Sequence, residues 1–308
     1  MNAITLENIS VSLRRHFWQP KRTILTNLSL TVISGQIYGF LGANGAGKTT
    51  AMKVMLGLLK QDEGQTLLWG QPSHDSVARK SVGFLPEQPY FSHHLTGFEV
   101  VTQHALLAGS TFSDAKKDAV CNLEKMGIGH AKHHRLSTYS KGMLQRLGLA
   151  QACVAKPRLL ILDEPMSGLD PIGRRDVREL MFEMKKQGTT IFFSTHNLSD
   201  AEQLCDHVGI LVRGQLTKSG PLSALTTTIE EPVEVIADIA HEKIASIIEG
   251  LTVECILCDS SVIFRMKGRK LANELMRRIY QQQGMVISMQ VYRGLLENIF
   301  VEETLGGS

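Results

Sequence analysis

Residues 42–49 read GANGAGKT, a combination of glycines, lysine and threonine that is suited to binding phosphate groups. The stretch fits the pattern Gly-x4-Gly-Lys-Ser/Thr, in which backbone N–H groups of the loop surround phosphate oxygens. Lys48 then supplies a cation to the β- and γ-phosphates, and the Thr49 hydroxyl reaches Mg²⁺. The residues predicted to hold the nucleotide here are Gly42, Asn44, Gly45, Ala46, Gly47, Lys48, Thr49 and Thr50.

Two neighbouring carboxylates follow four aliphatic residues in the stretch LLILDEP at 159–165. Adjacent residues of a strand face opposite sides, so one carboxylate is expected to bind Mg²⁺ while the other faces a water. Phosphoryl transfer depends on positioning and on charge neutralisation, and both tasks are needed beside the γ-phosphate. We predict that Asp163 is the Mg²⁺ ligand and that Glu164 polarises the attacking water.

Two further polar side chains are predicted at the same edge of the sheet. His196 closes the strand TTIFFSTH and can donate a hydrogen bond to the γ-phosphate or orient water. Gln88 follows the strand in SVGFLPEQ and can contact both a metal-bound oxygen and a water. A capping histidine and an ordinary loop glutamine are the alternatives. The predicted catalytic residues are Lys48, Gln88, Glu164 and His196, and the predicted Mg²⁺ ligands are Thr49, Gln88 and Asp163.

The elements around these residues predict an α/β fold with a parallel sheet. The phosphate-binding stretch stands between an apolar strand and a helical pattern, the arrangement in which parallel sheets bind ligands at the carboxyl ends of their strands. The continuous apolar runs before Asp163 and His196 are typical of strands buried on both faces. Alternation over residues 1–40 predicts an N-terminal antiparallel β region, and a mostly helical stretch predicts an inserted subdomain at about 96–156.

The character of the sequence changes after Gly220 and Pro221. Six segments then alternate as β-α-β-β-α-β, which predicts a small ferredoxin-like α+β domain. We place the domain boundary between residues 225 and 226, with one domain at 1–225 and the other at 226–308. The second domain carries no chemistry that its residues identify, so a regulatory or docking role and a passive stabilising role both stay open.

The composition is that of an ordinary soluble chain, with 308 residues, 43% hydrophobic, 20% charged and a formal net charge of +3. No apolar run approaches the ~20 residues of a membrane span, and the N-terminus lacks the apolar core of a signal peptide. Cys255 and Cys258 have CxxC spacing, but an extended strand directs them to opposite faces. The histidine pairs 93–94 and 133–134 have no partner at ligand spacing. We expect a cytoplasmic chain.

A second helix start suited to an anion lies at 138–147, in TYSKGMLQRL. Ser140 stands at the N-cap position, and Gly142 exposes the backbone of the first turn. The first N–H groups of a helix lack partners and the dipole is positive there, so such a start attracts anions. One nucleotide needs only one such anion site, which raises the question of what the second one serves.

Taken together, these motifs resemble the ATP-binding subunits of ABC transporters over about residues 1–225. By that resemblance 42–49 is the Walker A loop, Gln88 the Q-loop residue, 139–143 the signature and 167–170 the D-loop. Asp163 and Glu164 form Walker B, and His196 is the switch histidine. The resemblance implies ATP and Mg²⁺ as cofactors and adds Asp170 to the ATP-binding residues. Trp18 or Phe17 would supply the aromatic ring that stacks on adenine.

The resemblance also answers the question of the second anion site. In this family two ATPase domains face each other head to tail, so Ser140 and Gly142 would bind the γ-phosphate held by a partner's Lys48. Compared with the usual LSGGQ signature, Tyr139, Lys141 and Met143 are replacements, whereas the serine and the second glycine remain. This form, and the segment GLLENIFVEET at 294–304, are similar to a branch of exporters.

The predicted function is therefore the ATP-hydrolysing subunit of an ABC exporter. The expected partners are a second ATPase subunit in a homodimer and a separate permease, contacted near Gln88 and 89–101, on the cytoplasmic face of the membrane. No nucleic acid partner is expected. The alternative is a soluble ABC ATPase acting on ribosomes or nucleic acid, which usually carries tandem cores or a coiled coil. The signature helix and the absence of an Asn-Lys-x-Asp motif disfavour a kinase or GTPase.

Overall fold

The computed structural model describes residues 1–14, 16, 18, 20–227, 232–258, 261–291 and 296. The chain divides into two compact units, Met1–Leu222 and Ser223–Ser308. Phe17, and the exporter-like segment 294–304 apart from Leu296, lie outside the described residues. In the described part of the chain, no helix has both the length and the apolar character needed to cross a membrane.

The described residues of the first unit form ten strands and seven α-helices. In chain order these are β1 (Asn2–Leu13), β2 (Arg22–Ile33), β3 (Ile37–Leu41), α1 (Lys48–Met55), β4 (Glu63–Leu68), β5 (Gln71–Pro72), α2 (Ser76–Arg79), β6 (Val82–Leu85), α3 (Gly97–Leu107), α4 (Phe112–Lys125), α5 (Lys141–Cys153), β7 (Leu159–Asp163), α6 (Pro171–Lys186), β8 (Thr190–Thr195), α7 (Leu198–Leu204), β9 (His207–Val212) and β10 (Gln215–Pro221).

A six-stranded sheet forms the centre of this unit, in the order β10-β9-β3-β8-β7-β6. All neighbouring strands are parallel except β10, which pairs antiparallel with β9. Every residue of β3, β7 and β8 is buried, as expected for parallel strands covered on both faces. The loops that follow these three strands lie at one edge of the sheet, where the predicted site residues stand.

A second, antiparallel sheet has the order β2-β1-β4-β5. Buried and exposed residues roughly alternate along β1 and β2, because one face packs on the core and the other meets solvent. The N-terminal antiparallel β region and the α/β core with a parallel sheet are therefore confirmed.

The stretch predicted as an inserted helical subdomain contains α3, α4 and α5. A capping box starts α3: the Thr96 side chain accepts from the Glu99 N–H, and the Glu99 carboxylate accepts from the Thr96 N–H. The Glu99 carboxylate accepts from the Thr96 N–H and also from the Thr96 hydroxyl, and these two bonds hold the pKa of Glu99 below its usual range. Leu95 and Phe98 exchange backbone hydrogen bonds with the segment 132–136, at 2.8 and 2.9 Å, which ties the start of α3 to the segment before α5.

The second unit follows the predicted β-α-β-β-α-β order. After α8 (Leu222–Thr227), its elements are β11 (Pro232–Asp238), α9 (His241–Ile248), β12 (Val253–Cys258), β13 (Ser261–Lys267), α10 (Arg269–Gln281) and β14 (Met285–Val291). The sheet order β12-β13-β11-β14 is that of a ferredoxin-like unit, and the unit has its own core around Val235 and Phe264. Cys255 and Cys258 are three apart on β12 and both are free thiols.

Candidate active site

The phosphate-binding loop follows the fully buried strand β3 and leads into α1. Gly47 is the N-cap of α1 with φ 111°, and a Cβ there would lie 2.9 Å from Leu25 Cδ2 and 3.2 Å from the Ile24 carbonyl oxygen. Gly45 has φ 81°, but no atom lies within 4 Å of its Cβ position, so that side of the loop is open. The backbone conformation favours glycine at both positions, because a side chain is strained at such φ angles.

Lys48, the first residue of α1, is buried against the loop that precedes it. Its Nζ donates to the Gly42 carbonyl oxygen at 2.6 Å and to the Ala43 carbonyl oxygen at 3.3 Å. The same ammonium lies 3.4 Å from Glu164 Oε1. The lysine is therefore held at the centre of the predicted site, between the loop and the end of β7.

Asp163, the last residue of β7, joins two side chains from other elements. Its Oδ2 accepts from the Thr49 hydroxyl at 2.7 Å and its Oδ1 from the Ser194 hydroxyl at 2.6 Å. A hydroxyl and a carboxylate are hard oxygen ligands, and Mg²⁺ binds such ligands together with waters and substrate phosphates. Thr49 and Asp163 therefore fit the predicted Mg²⁺ ligand set.

Glu164 does not alternate with Asp163 along a strand, and this part of the sequence prediction is wrong. Strand β7 ends at Asp163, and Glu164 has φ 49°, in the left-handed region. Its backbone N–H donates to Ser194 Oγ at 2.9 Å, and its Oε2 lies 3.0 Å from His196 Nδ1. The turn, rather than the pleat, brings both carboxylates to the same cavity.

These side chains line one cavity of about 620 Å³, within the range of small-molecule sites. Its lining consists of Ile24, Ala43, Asn44, Gly45, Gly47, Lys48, Thr49, Thr50, Glu87, Asp163, Glu164, Ser167 and His196. Of the described residues that were predicted to hold the nucleotide or the metal at this loop, Gly42, Ala46, Gln88 and Trp18 are absent from this lining. Gln88 is exposed, next to Glu87, and Trp18 is 67% exposed and stacks on His16 at 4.8 Å.

The predicted signature residues and Asp170 lie at two helix starts outside this cavity lining. Ser140 caps α5 and accepts from the Met143 N–H at 3.2 Å, as predicted. Asp170 caps α6 and accepts from the Gly173 N–H at 2.8 Å. A Cβ on Gly142 would meet Leu169 Cδ2 at 3.5 Å, an ordinary contact, so packing within the chain does not require glycine there.

Two replacements in the signature have visible partners within the chain. The Tyr139 hydroxyl donates to the Ala131 carbonyl oxygen at 2.8 Å, and burial raises its pKa, so it stays protonated. The side chain of Lys141 lies over Gly168, where an added Cβ would be 2.9 Å from Lys141 Cε. Both replacements therefore pack on neighbouring segments.

Several residues of the site were not predicted from the sequence. Ser194 contacts both Walker B positions, Glu87 and Ser167 line the cavity, and Gln145 contacts the backbone beyond β7. Ser194 was detectable as a polar residue within a buried apolar strand, two positions before His196. Gln145 was harder to find, because a single polar residue in a helical pattern is most often exposed.

Comparison with known proteins assigns the family. The family model of ABC transporters matches residues 25–167. YdbJ of Bacillus subtilis, an uncharacterized ABC transporter ATP-binding protein, is 35% identical over 287 residues, which are 92% of this chain and 91% of YdbJ. The bacitracin transport ATP-binding protein BcrA of Enterococcus faecalis is 40% identical over 227 residues, 73% of this chain and 72% of BcrA.

Other matches agree on the same family. An uncharacterized ABC transporter ATP-binding protein of Synechocystis is 43% identical over 72% of this chain, but the aligned region spans only 64% of that relative. A solved ATP-binding subunit of an ABC transporter superposes with a TM-score of 0.66 at 28% identity, covering 73% of this chain and 92% of that one. The chain belongs to the ABC transporter family, as the motifs predicted, and the predicted fold class is confirmed.

Proposed function

We propose that the chain is the ATP-hydrolysing subunit of an ABC exporter and acts with a separate membrane permease. The observation that carries the proposal is the environment of Glu164. Its carboxylate lies between Lys48 Nζ and His196 Nδ1, in a cavity that the phosphate-binding loop also lines. A carboxylate in that place can accept a proton from a water that attacks the terminal phosphate of ATP.

Most of the polar residues of the cavity have a task in this proposal. The loop N–H groups and Lys48 bind the phosphates, and His196 orients Glu164 and a water through its ring nitrogens. Thr49 and Asp163 would hold Mg²⁺, which neutralises charge on the phosphate oxygens when bound. Ser194 keeps Asp163 turned toward Thr49, since its hydroxyl occupies the other carboxylate oxygen.

The proposal includes a head-to-tail homodimer. Ser140 and Gly142 lie at the start of a 13-residue helix, outside the lining of the cavity described above. A helix start with a bare backbone suits the γ-phosphate of a nucleotide held by a second copy. Gly142 has room for a methyl group within its own chain, which supports a need for glycine that arises from outside the chain.

The transport role rests on the family and on the signature. BcrA, by its name, serves bacitracin transport, and the replacements Tyr139 and Met143 resemble the signature of an exporter branch. We propose that ATP binding closes the dimer, that hydrolysis reopens it, and that this motion drives the permease from the cytoplasmic face of the membrane. Gln88 and residues 89–101 form the proposed permease contact.

Replacement of Glu164 by glutamine tests the proposal. Glu164→Gln keeps the size of the side chain and removes the base, so hydrolysis is expected to fall about 10²–10⁴-fold. ATP binding should persist, and scattering should detect a dimer that remains in ATP. Steady-state hydrolysis and the ATP dissociation constant are the measurements.

Glu87→Gln is the matched control, since Glu87 lines the same cavity but is exposed. It removes the same charge from the cavity without touching the proposed base, so its turnover should stay close to that of the wild type. Wild-type turnover by Glu164→Gln would remove Glu164 from the mechanism. A variant that is monomeric with ATP would contradict the shared nucleotide.

A further inference from the structure

The backbone of Glu164 needs support that β7 does not give. Glu164 lies one residue beyond the strand, with φ 49°, a conformation that residues other than glycine rarely adopt. A backbone in that region persists only where surrounding contacts hold it. Since the direction of the carboxylate follows from this turn, whatever holds the turn also sets the position of the proposed base.

Two side chains hold the turn from two sides. Ser194 Oγ, on β8, accepts from the Glu164 N–H at 2.9 Å. Gln145 Nε2, on α5, donates to the carbonyl oxygens of Glu164 at 3.4 Å and of Pro165 at 3.2 Å. Gln145 is only 4% exposed, so its amide is a buried polar group that needs these two carbonyl oxygens as hydrogen-bond partners.

Gln145 also connects the turn to the signature. It lies five residues after Ser140, on the single helix α5 that Ser140 caps. Over so short a distance an α-helix moves as one body. A displacement of the helix start therefore moves the Gln145 amide with it, and with the amide the two carbonyl groups that it binds.

We propose that Gln145 is a positioning residue that holds the backbone of Glu164 and couples the proposed base to the signature helix. This rests on the proposed function, because it takes Glu164 as the base and Ser140 as a contact of the partner's nucleotide. In a head-to-tail dimer, the helix that contacts the nucleotide held by the partner would thereby set the position of Glu164 beside the nucleotide held by its own chain.

The experiment removes the amide in two ways. Gln145→Leu deletes the donor, and Gln145→Met deletes it while keeping an unbranched side chain of similar length. Because a misplacement of about 1 Å costs on the order of 10²-fold in rate, kcat should fall about 100-fold in both variants. The ATP dissociation constant should stay unchanged, since neither variant touches the phosphate-binding loop.

A double-mutant cycle with Glu164→Ala separates positioning from a general loss of structure. If Gln145 acts through Glu164, adding Gln145→Leu to Glu164→Ala leaves the residual rate unchanged within about twofold. Leu149→Ala, a buried change four residues further along the same helix that removes no hydrogen bond, is the control and should keep kcat.

Three outcomes would overturn the inference. They are an equal loss of rate in both backgrounds, a wild-type kcat in both Gln145 variants, or failure of both variants to fold, which would make Gln145 purely structural. Failure of the proposed function is recognised separately: Glu164→Gln would then hydrolyse ATP normally, whatever the Gln145 variants do.

Discussion

At the scale of single residues, Ser194 fixes the orientation of the proposed Mg²⁺ ligand. Its hydroxyl donates to Asp163 Oδ1, which leaves Oδ2 directed at Thr49. Groups that orient a metal ligand commonly contribute 10- to 100-fold in metal affinity or activity. We therefore expect Ser194→Ala to raise the Mg²⁺ concentration for half-maximal hydrolysis by about 10- to 100-fold, measured by titrating free Mg²⁺ at saturating ATP.

Thr190→Val is the control for Ser194→Ala. Thr190 is the first residue of the same strand and is as buried as Ser194. Its hydroxyl accepts a hydrogen bond from the Gly35 N–H at 2.9 Å, which the substitution removes. It lies at the opposite end of β8 from the cavity, so its Mg²⁺ titration should match that of the wild type. Equal shifts in both variants would mean that the effect is loss of strand stability rather than ligand orientation.

The same residues show what a sequence can predict about a site. Lys48 and Thr49 were predicted for the site from the spacing of the glycine-rich pattern, and Asp163 from its place after four aliphatic residues; all three line the cavity. The turn at Glu164 was not, since nothing in LLILDEP states where the strand ends and the left-handed residue begins. The contact between Glu164 and His196, 3.0 Å, depends on that turn and on the pairing of β7 with β8, which are tertiary facts.

At the scale of elements, one close contact fastens the start of α3 to the start of α5. A Cβ on Gly97, the first residue of α3, would lie 2.7 Å from the Tyr139 hydroxyl oxygen, and the next nearest atom, Tyr139 Cζ, is at 3.5 Å. Among the described residues, the Tyr139 hydroxyl is therefore the one nearby group that would clash with a methyl group at position 97. The helical pattern of residues 96–136 predicted α3 and α4, but no periodicity could have predicted this contact, because it joins residues 42 positions apart.

Reciprocal substitutions test this contact. Gly97→Ala should destabilise the region by about 1–3 kcal/mol through overpacking, and Tyr139→Phe by about 1 kcal/mol through the lost bond to Ala131. In the double variant the methyl group occupies the space of the hydroxyl, so the total cost should be clearly smaller than the sum. Hydrogen exchange of the α3 and α5 amides measures each cost, and additive costs would contradict the contact.

At the scale of the whole molecule, the two units have separate hydrophobic cores. The core residues of the second unit, Phe264 among them, are a different cluster from those of the first unit, which include Phe193. The change in sequence character after Pro221 indicated the division, because alternation β-α-β-β-α-β suits a unit that closes on itself. What the second unit does could not be predicted, since function lies in sites and its residues identify none.

Because the two units have separate cores, we expect a substitution that destabilises the second unit to leave the first unit folded. Phe264 is fully buried, and Phe264→Ala should cost the second unit about 3–5 kcal/mol, through lost burial and the cavity left behind. Hydrogen exchange should show loss of protection in β11 and β13, while the dissociation constant for ATP stays unchanged. Phe193→Ala makes the same change on β8, one residue before Ser194, and should instead weaken ATP binding. If Phe264→Ala weakened ATP binding as much as Phe193→Ala does, the second unit would be part of the nucleotide-binding fold rather than an independent body.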